Sequence, residues 1–169
     1  MSLENHLRDN EADLLSYFQR RLLSGADAAE AFGELMLIAW KSRRKIPDDP
    51  TQARMWLFGA ARNVLRDARR ALARRSAAVQ RLAENMSTQP PAQDESSADL
   101  RDAISRLAED DAELIRLVYW DGFASREAAV LLGINPSTAR SRLSRAREQL
   151  RDALVPERHT ITRSQPSVR

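Results

Sequence analysis

Residues Leu131 to Leu150 read "LLGINPSTARSRLSRAREQL". Gly133 is the kind of residue that ends a helix, since it enters the left-handed conformation without a Cβ penalty. Asn135 suits the next N-cap, and Pro136 suits the first helical position, where its missing N–H costs nothing. A helix from about Ser125 to Leu132, with Ser125 as its N-cap, a Gly-containing turn and a longer helix from Pro136 form a helix-turn-helix unit. Projected at about 100° per residue, Ala139, Leu143, Ala146, Leu150, Ala153 and Leu154 share one arc. Ser137, Arg140, Ser141, Ser144, Arg145 and Arg151 lie opposite. The apolar stripe is narrow and rich in small residues, so this helix packs closely on its neighbours behind a broad polar face. Arginine forks onto guanine or phosphate, and short hydroxyl side chains permit close approach. An ordinary bundle helix with a solvated basic face is the competing reading. Cap, turn and face together favour DNA, with Ser137, Thr138, Arg140, Ser141, Ser144 and Arg145 as the contact set.

The rest of the 169-residue chain is built for helices: few aromatics, 5 glycines, and abundant Ala, Leu, Arg and Glu. The expected fold class is all-α, in two small helical domains. The absence of cysteine excludes disulfides and thiolate metal sites, and two isolated histidines, His6 and His159, cannot make a zinc site alone. No Gly-rich phosphate loop, Ser/His/Asp set or paired carboxylates stand out, so no catalytic residues, metal or cofactor are expected. The longest apolar run, Leu35 to Trp40, is too short to span a bilayer, and no signal pattern opens the chain. A cytoplasmic protein with no direct membrane insertion is expected.

Net charge is only +3, but it is unevenly placed. Residues 54–75 carry seven Arg against one Asp, and residues 137–151 five Arg against one Glu. Residues 99–113 reverse this, with six acids against two Arg. A phosphate backbone feels such local fields rather than the total. The Pro- and Ser-rich stretch Met86–Asp99 lacks apolar periodicity and reads as a flexible linker. The boundaries that follow are residues 1–78 for a first domain, 79–98 for the linker, 99–155 for a second, and 156–169 for a disordered tail.

Within the first domain, residues 11–23 form an amphipathic helix, and a second helix begins near Asp27. Asp27, Glu30 and Glu34 lie on or beside its first turns, where acids favour the helix dipole; a partner-binding role is not separable from that on spacing alone. A long helix follows from about Ala53 to Arg75. Leu57, Ala60, Ala61, Val64, Leu65, Ala68 and Leu72 occupy one side of it, and Arg62, Arg66, Arg69 and Arg70 a separate arc. Asn63 and Trp56 lie at the border of that arc. Arginines for phosphates, an indole for stacking and an amide for base edges would serve a single strand, although a tryptophan at the position of Trp56 is more often a core residue than a stacking one.

Taken in order, "DAAEAFGELMLIAW", "WLFGAARNVLRDARR", a Pro/Ser linker and "LGINPSTARSRLSRAREQLRDAL" resemble the small two-domain bacterial sigma factors of the extracytoplasmic function (ECF) type, over about residues 11–155. The resemblance implies an alternative sigma factor that binds RNA polymerase core and directs transcription initiation. It implies that the first domain, region 2, meets the polymerase clamp helices through Asp27, Glu30 and Glu34. It also implies that this domain opens the −10 element, with Asn63 and the loop Ile46–Ala53 capturing an unstacked base. Trp56, Arg62, Arg66, Arg69 and Arg70 would hold the strand. The second domain, region 4, would read the −35 duplex through the Ser137–Arg145 set and meet the polymerase flap. An anti-sigma partner is implied as well. Two departures from the family pattern are Gly33, before the Glu of the polymerase-facing helix, and Ala128, in place of a larger aliphatic residue. The alternatives are a helix-turn-helix regulator with an N-terminal sensing or dimerisation domain, and a helical interaction protein that never touches DNA.

Overall fold

In the computed structural model, residues 3–82 and 95–154 are described, with side chains over 3–77 and 99–154. Among the described residues, seven α-helices run in the order α1 Leu3–Gln19, α2 Gly25–Lys41, α3 Pro50–Leu82, α4 Glu95–Ser105, α5 Glu109–Tyr119, α6 Ser125–Leu132 and α7 Pro136–Leu154, with one 3₁₀ turn at Arg43–Lys45. The expected tail from 156 onward lies outside the described residues, as does 83–94 of the expected linker. Helix enters both ends of the 79–98 segment, since α3 reaches Leu82 and α4 starts at Glu95.

The boundaries differ from the sequence reading where capping chemistry overrides hydrophobic period. The α3 helix begins at Pro50 rather than Ala53, because the Gln52 backbone N–H donates to Asp49 Oδ1 at 2.9 Å and Pro50 occupies the first turn. Ser24 caps α2 by accepting from the Asp27 N–H at 3.3 Å, which moves its start forward to Gly25. Ser125 is the first residue of α6 and not its cap. The cap is Ala124, whose N–H donates to Glu127 Oε2 at 2.8 Å, the half of a capping box that alanine allows. The α1 helix starts at Leu3 and stops at Gln19, so Leu22 packs from the connection and not from a helix. Its polar first half is held because His6 and Asn10 are buried, with Asn10 Nδ2 donating to the His6 carbonyl at 2.8 Å.

Helices α1, α2 and α3 pack together as one unit, and α4 to α7 as another. The second unit has a small core of its own, Ile104, Ala112, Ile115 and Ala146, capped by Leu107, Trp120, Leu143 and Leu150. The main core is shared. Leu14, Phe18, Leu35, Leu57 and Phe58 of the first unit are continuous with Leu114, Leu117, Phe123, Ala128 and Ala139 of the second. Ala128 is fully buried there, and its small side chain fits that close packing. Two glycines turn the chain at the junctions. Gly122 (φ 74) lets the Phe123 N–H reach the Leu117 carbonyl at 3.0 Å and sends the ring inward, while Gly133 (φ 67) ends α6.

Candidate nucleic-acid interface

The α7 helix is anchored by Asn135, whose Oδ1 accepts from the Ser137 N–H at 2.9 Å and from Ser137 Oγ at 2.8 Å. Ala139 and Ala146 are fully buried beneath it, so its backbone lies close to its neighbours. Ser137, Thr138, Arg140, Ser141, Ser144 and Arg145 are all exposed on its other side, as the projection requires. Ser137 is partly committed to the cap, and Ser141 Oγ donates to the Thr138 carbonyl at 3.3 Å. Arg142, between the two faces, is drawn to Asp110 at 3.4 Å and Asp111 at 4.0 Å on α5.

On α3, Leu57, Ala61, Val64 and Leu65 are buried, and Ala60, Ala68 and Leu72 pack against that core. Arg62, Asn63, Arg66 and Arg70 are exposed. Trp56 is half-buried against the core. The row lines one wall of a groove of about 410 Å³. The opposite wall is Glu109, Asp110, Glu113 and Leu132 of the second unit. Arg69 Nη1 donates to Glu109 Oε1 at 3.0 Å across it, so Arg69 alone of the row is half-covered. The loop Ile46–Ala53 divides in two: Ile46 packs on the core, and Pro50 onward is the first turn of α3.

The acids of α2 sit elsewhere. Glu30 and Glu34 are exposed and Asp27 is half-buried, lining with Asp67 and Arg75 of α3 a small groove of about 140 Å³. Gly33 is exposed with open space around it, so it perturbs no packing. Among the described residues, no group of three or more His, Cys, Asp or Glu could hold a metal, and no helix is long and apolar enough to cross a membrane.

The sequence reading missed the ion cluster between the units. Arg21 Nε donates to Glu113 Oε1 at 3.0 Å and Oε2 at 3.1 Å, and its Nη2 donates to Asp121 Oδ2 at 2.6 Å. Its guanidinium lies 3.8 Å over the Tyr17 ring, with the side chain wholly buried. Arg116 flanks Glu113 at 3.4 Å and Arg20 flanks Asp121 at 3.6 Å, so charges alternate along the cluster. Burial opposes the charge on Arg21, but Glu113, Tyr17 and Asp121 hold its pKa above the ordinary value. Burial raises the Asp121 carboxyl, against the pull of Arg21. Arg54 adds a second tie: its Nη2 donates to the Asp121 carbonyl at 2.7 Å, and its guanidinium covers the Phe58 and Phe123 rings at 4.7 and 4.9 Å. The only signal for this in the sequence is "QRRLL", where two arginines interrupt an apolar helix pattern.

Two helical units, each bearing an exposed basic face, with a helix-turn-helix in the second, have the make-up of a two-region nucleic-acid-binding protein. Residues 7–75 match sigma-70 region 2, and residues 97–150 match sigma-70 region 4. The ECF RNA polymerase sigma factor SigL of Mycobacterium tuberculosis is 33% identical over 156 residues, covering 89% of this chain and 88% of that protein. The chain therefore belongs to the ECF RNA polymerase sigma factors: it is an alternative sigma factor that joins the polymerase core and directs promoter recognition. Solved structures share the fold. The sigma factor RpoE, crystallised with the anti-sigma factor NepR from Bartonella quintana, superposes with a TM-score of 0.70 at 24% identity, over 92% of this chain and 98% of that one. CnrH in complex with the cytosolic domain of CnrY superposes with a TM-score of 0.63 at 20% identity, over 90% and 86%.

Proposed function

We propose that the two regions divide promoter recognition between the two basic faces. The observation that carries this is the polarity of α7: Ala139 and Ala146 face the core, leaving Ser137, Thr138, Arg140, Ser141, Ser144 and Arg145 exposed together. A recognition helix of that kind enters a major groove and reads the −35 duplex. Arg62, Arg66, Arg69 and Arg70 take the phosphates of the opened −10 strand, with Asn63 reading a base edge. Trp56, half-buried beside the row, supports the platform from the core side. Asp27, Glu30 and Glu34 present negative charge to the polymerase clamp, and residues 99–155 also meet the flap. The functional division is residues 1–78 for region 2 and 99–155 for region 4.

The chain works without catalysis of its own, in the cytoplasm. An anti-sigma protein is its regulatory partner, a reading supported by the structural neighbour RpoE, which was crystallised with the anti-sigma factor NepR.

The test separates the two faces. Asn63→Ala should impair opening of the −10 element by the holoenzyme, read by fluorescence of a 2-aminopurine placed there, while binding to a closed −35 duplex is retained. Equal loss of both would show that the faces do not divide the work.

A further inference from the structure

Arg140, Arg145, Arg147 and Arg151 of α7 are exposed, and Arg142 is partly covered. It lies at the edge of the buried stripe, with Nη1 3.4 Å from Asp110 Oδ2 and Nε 4.0 Å from Asp111 Oδ1. Both acids stand on the first turn of α5, where the helix dipole favours negative charge. Arg147, at the opposite edge of α7, pairs with no acid among the described residues.

The buried side of α7 offers little to lock the helix against rolling about its own axis. Ala139 and Ala146 are fully buried, and Leu143 and Leu150 add bulk that is partly buried. Alanines let the backbone come close but raise no ridge to fall into a neighbour's groove. At the outer radius of a helix, about 5–6 Å, a roll of about 10° carries a side chain about 1 Å. A binding constellation works only when held within about 0.5 Å and 10–20°. A tie at the edge of the stripe opposes such a roll directly.

We propose that Arg142 is a positioning residue for duplex reading: tied to Asp110 and Asp111, it fixes the roll of α7 so that Arg140 and Arg145 meet their bases, and it takes no phosphate itself. The inference rests on the reading of the α7 face as the one that meets the −35 duplex. All three residues belong to region 4, so the tie acts whether or not region 4 packs on region 2. Exposed ion pairs add little to stability, so what this one contributes is orientation.

The test uses the full chain and two fluorescent duplexes. One carries the −35 segment of a promoter that the wild-type holoenzyme transcribes, and the other has that segment scrambled. Anisotropy at stepped salt gives the affinity for each. Arg142→Gln, and the double variant Asp110→Asn with Asp111→Asn, should each lower the ratio of the two affinities by about tenfold, within the range that one lost base fork costs. Arg142→Lys, which still reaches the acids, should keep the ratio. Thermal unfolding should barely move in all three.

A ratio unchanged in either of the first two variants overturns the positioning role. For the acids, equal tightening on both duplexes would mean that they act through charge alone. A salt slope on the scrambled duplex shallower by about one in Arg142→Gln also overturns it, because that marks a lost phosphate contact. Arg140→Ala and Arg145→Ala tell which reading has fallen. If neither lowers the ratio, α7 does not present the reading face, and the role of Arg142 goes with it. If both lower it, the face stands and the positioning role alone has failed.

Discussion

Phe58 of α3 and Phe123, which follows α5, meet edge to face across the two regions, with ring planes at 80°. Tyr17 continues the stack on Phe58 at 5.5 Å and 88°. Such pairs contribute about 0.5–1.5 kcal/mol each beyond their burial. The two sigma regions therefore share one aromatic core, even though a Pro- and Ser-rich segment joins them in sequence.

Removing the ring should uncouple the regions. Phe123 is 4% exposed, so Phe123→Ala is expected to cost about 3–5 kcal/mol. Urea unfolding should then show two transitions where the wild-type chain shows one.

Deleting one member of the ion cluster should be worse than deleting its charges together. Arg21→Met takes the buried guanidinium from between Glu113 and Asp121 and leaves them only the flanking Arg116 at 3.4 Å and Arg20 at 3.6 Å, at an expected cost of up to about 3–5 kcal/mol. Adding Glu113→Gln and Asp121→Asn to Arg21→Met should recover part of that loss in a double-mutant cycle. Strictly additive losses would mean that the three groups do not act as a unit.

Tyr17 sets an alkaline limit. Burial first, and Glu113 next, raise its hydroxyl pKa well above the ordinary phenol value. The folded chain thus holds this proton more firmly than the unfolded one. The resulting stability is complete below the unfolded phenol's pKa, about 10, and is lost as pH rises through and beyond it. Urea unfolding at stepped pH should show that decline, and Tyr17→Phe should flatten it. Because the Tyr17 hydroxyl has no hydrogen-bond partner among the described residues, the substitution should cost less than about 1 kcal/mol at neutral pH.

The α7 start is equally open to test. Asn135→Ala removes the acceptor that serves the Ser137 N–H and should cost about 0.5–2 kcal/mol of stability in thermal unfolding. Ser137→Ala, which removes only the donor to Asn135, should cost less.

The helices and the two basic faces were legible because each is written locally. Period places Leu57, Ala61 and Val64 inward and Arg62 and Arg66 outward on α3, and "GINPST" spells a stop and a start for α6 and α7. Starts moved by a few residues wherever a cap such as Asp49 or Ser24 lay outside the apolar pattern. The junction was not legible, for a different reason. Arg21 and Asp121 stand 100 positions apart, and nothing local distinguishes a buried arginine from a solvated one. Nor does the Pro- and Ser-rich stretch Met86–Asp99 carry any local sign that the helices on either side of it share a core. The shared core and the cluster around Arg21 join them.

Run-off transcription with sigma-free polymerase core on genomic promoter fragments tests the central claim most directly. The wild-type chain should produce transcripts from discrete start sites in a promoter-dependent way. Arg140→Ala or Arg145→Ala should weaken promoter binding by about 1–3 kcal/mol where the side chain forks onto a base, with the loss removed by changing the −35 element. Failure to bind core, or transcripts no different from those of core alone, would contradict the account.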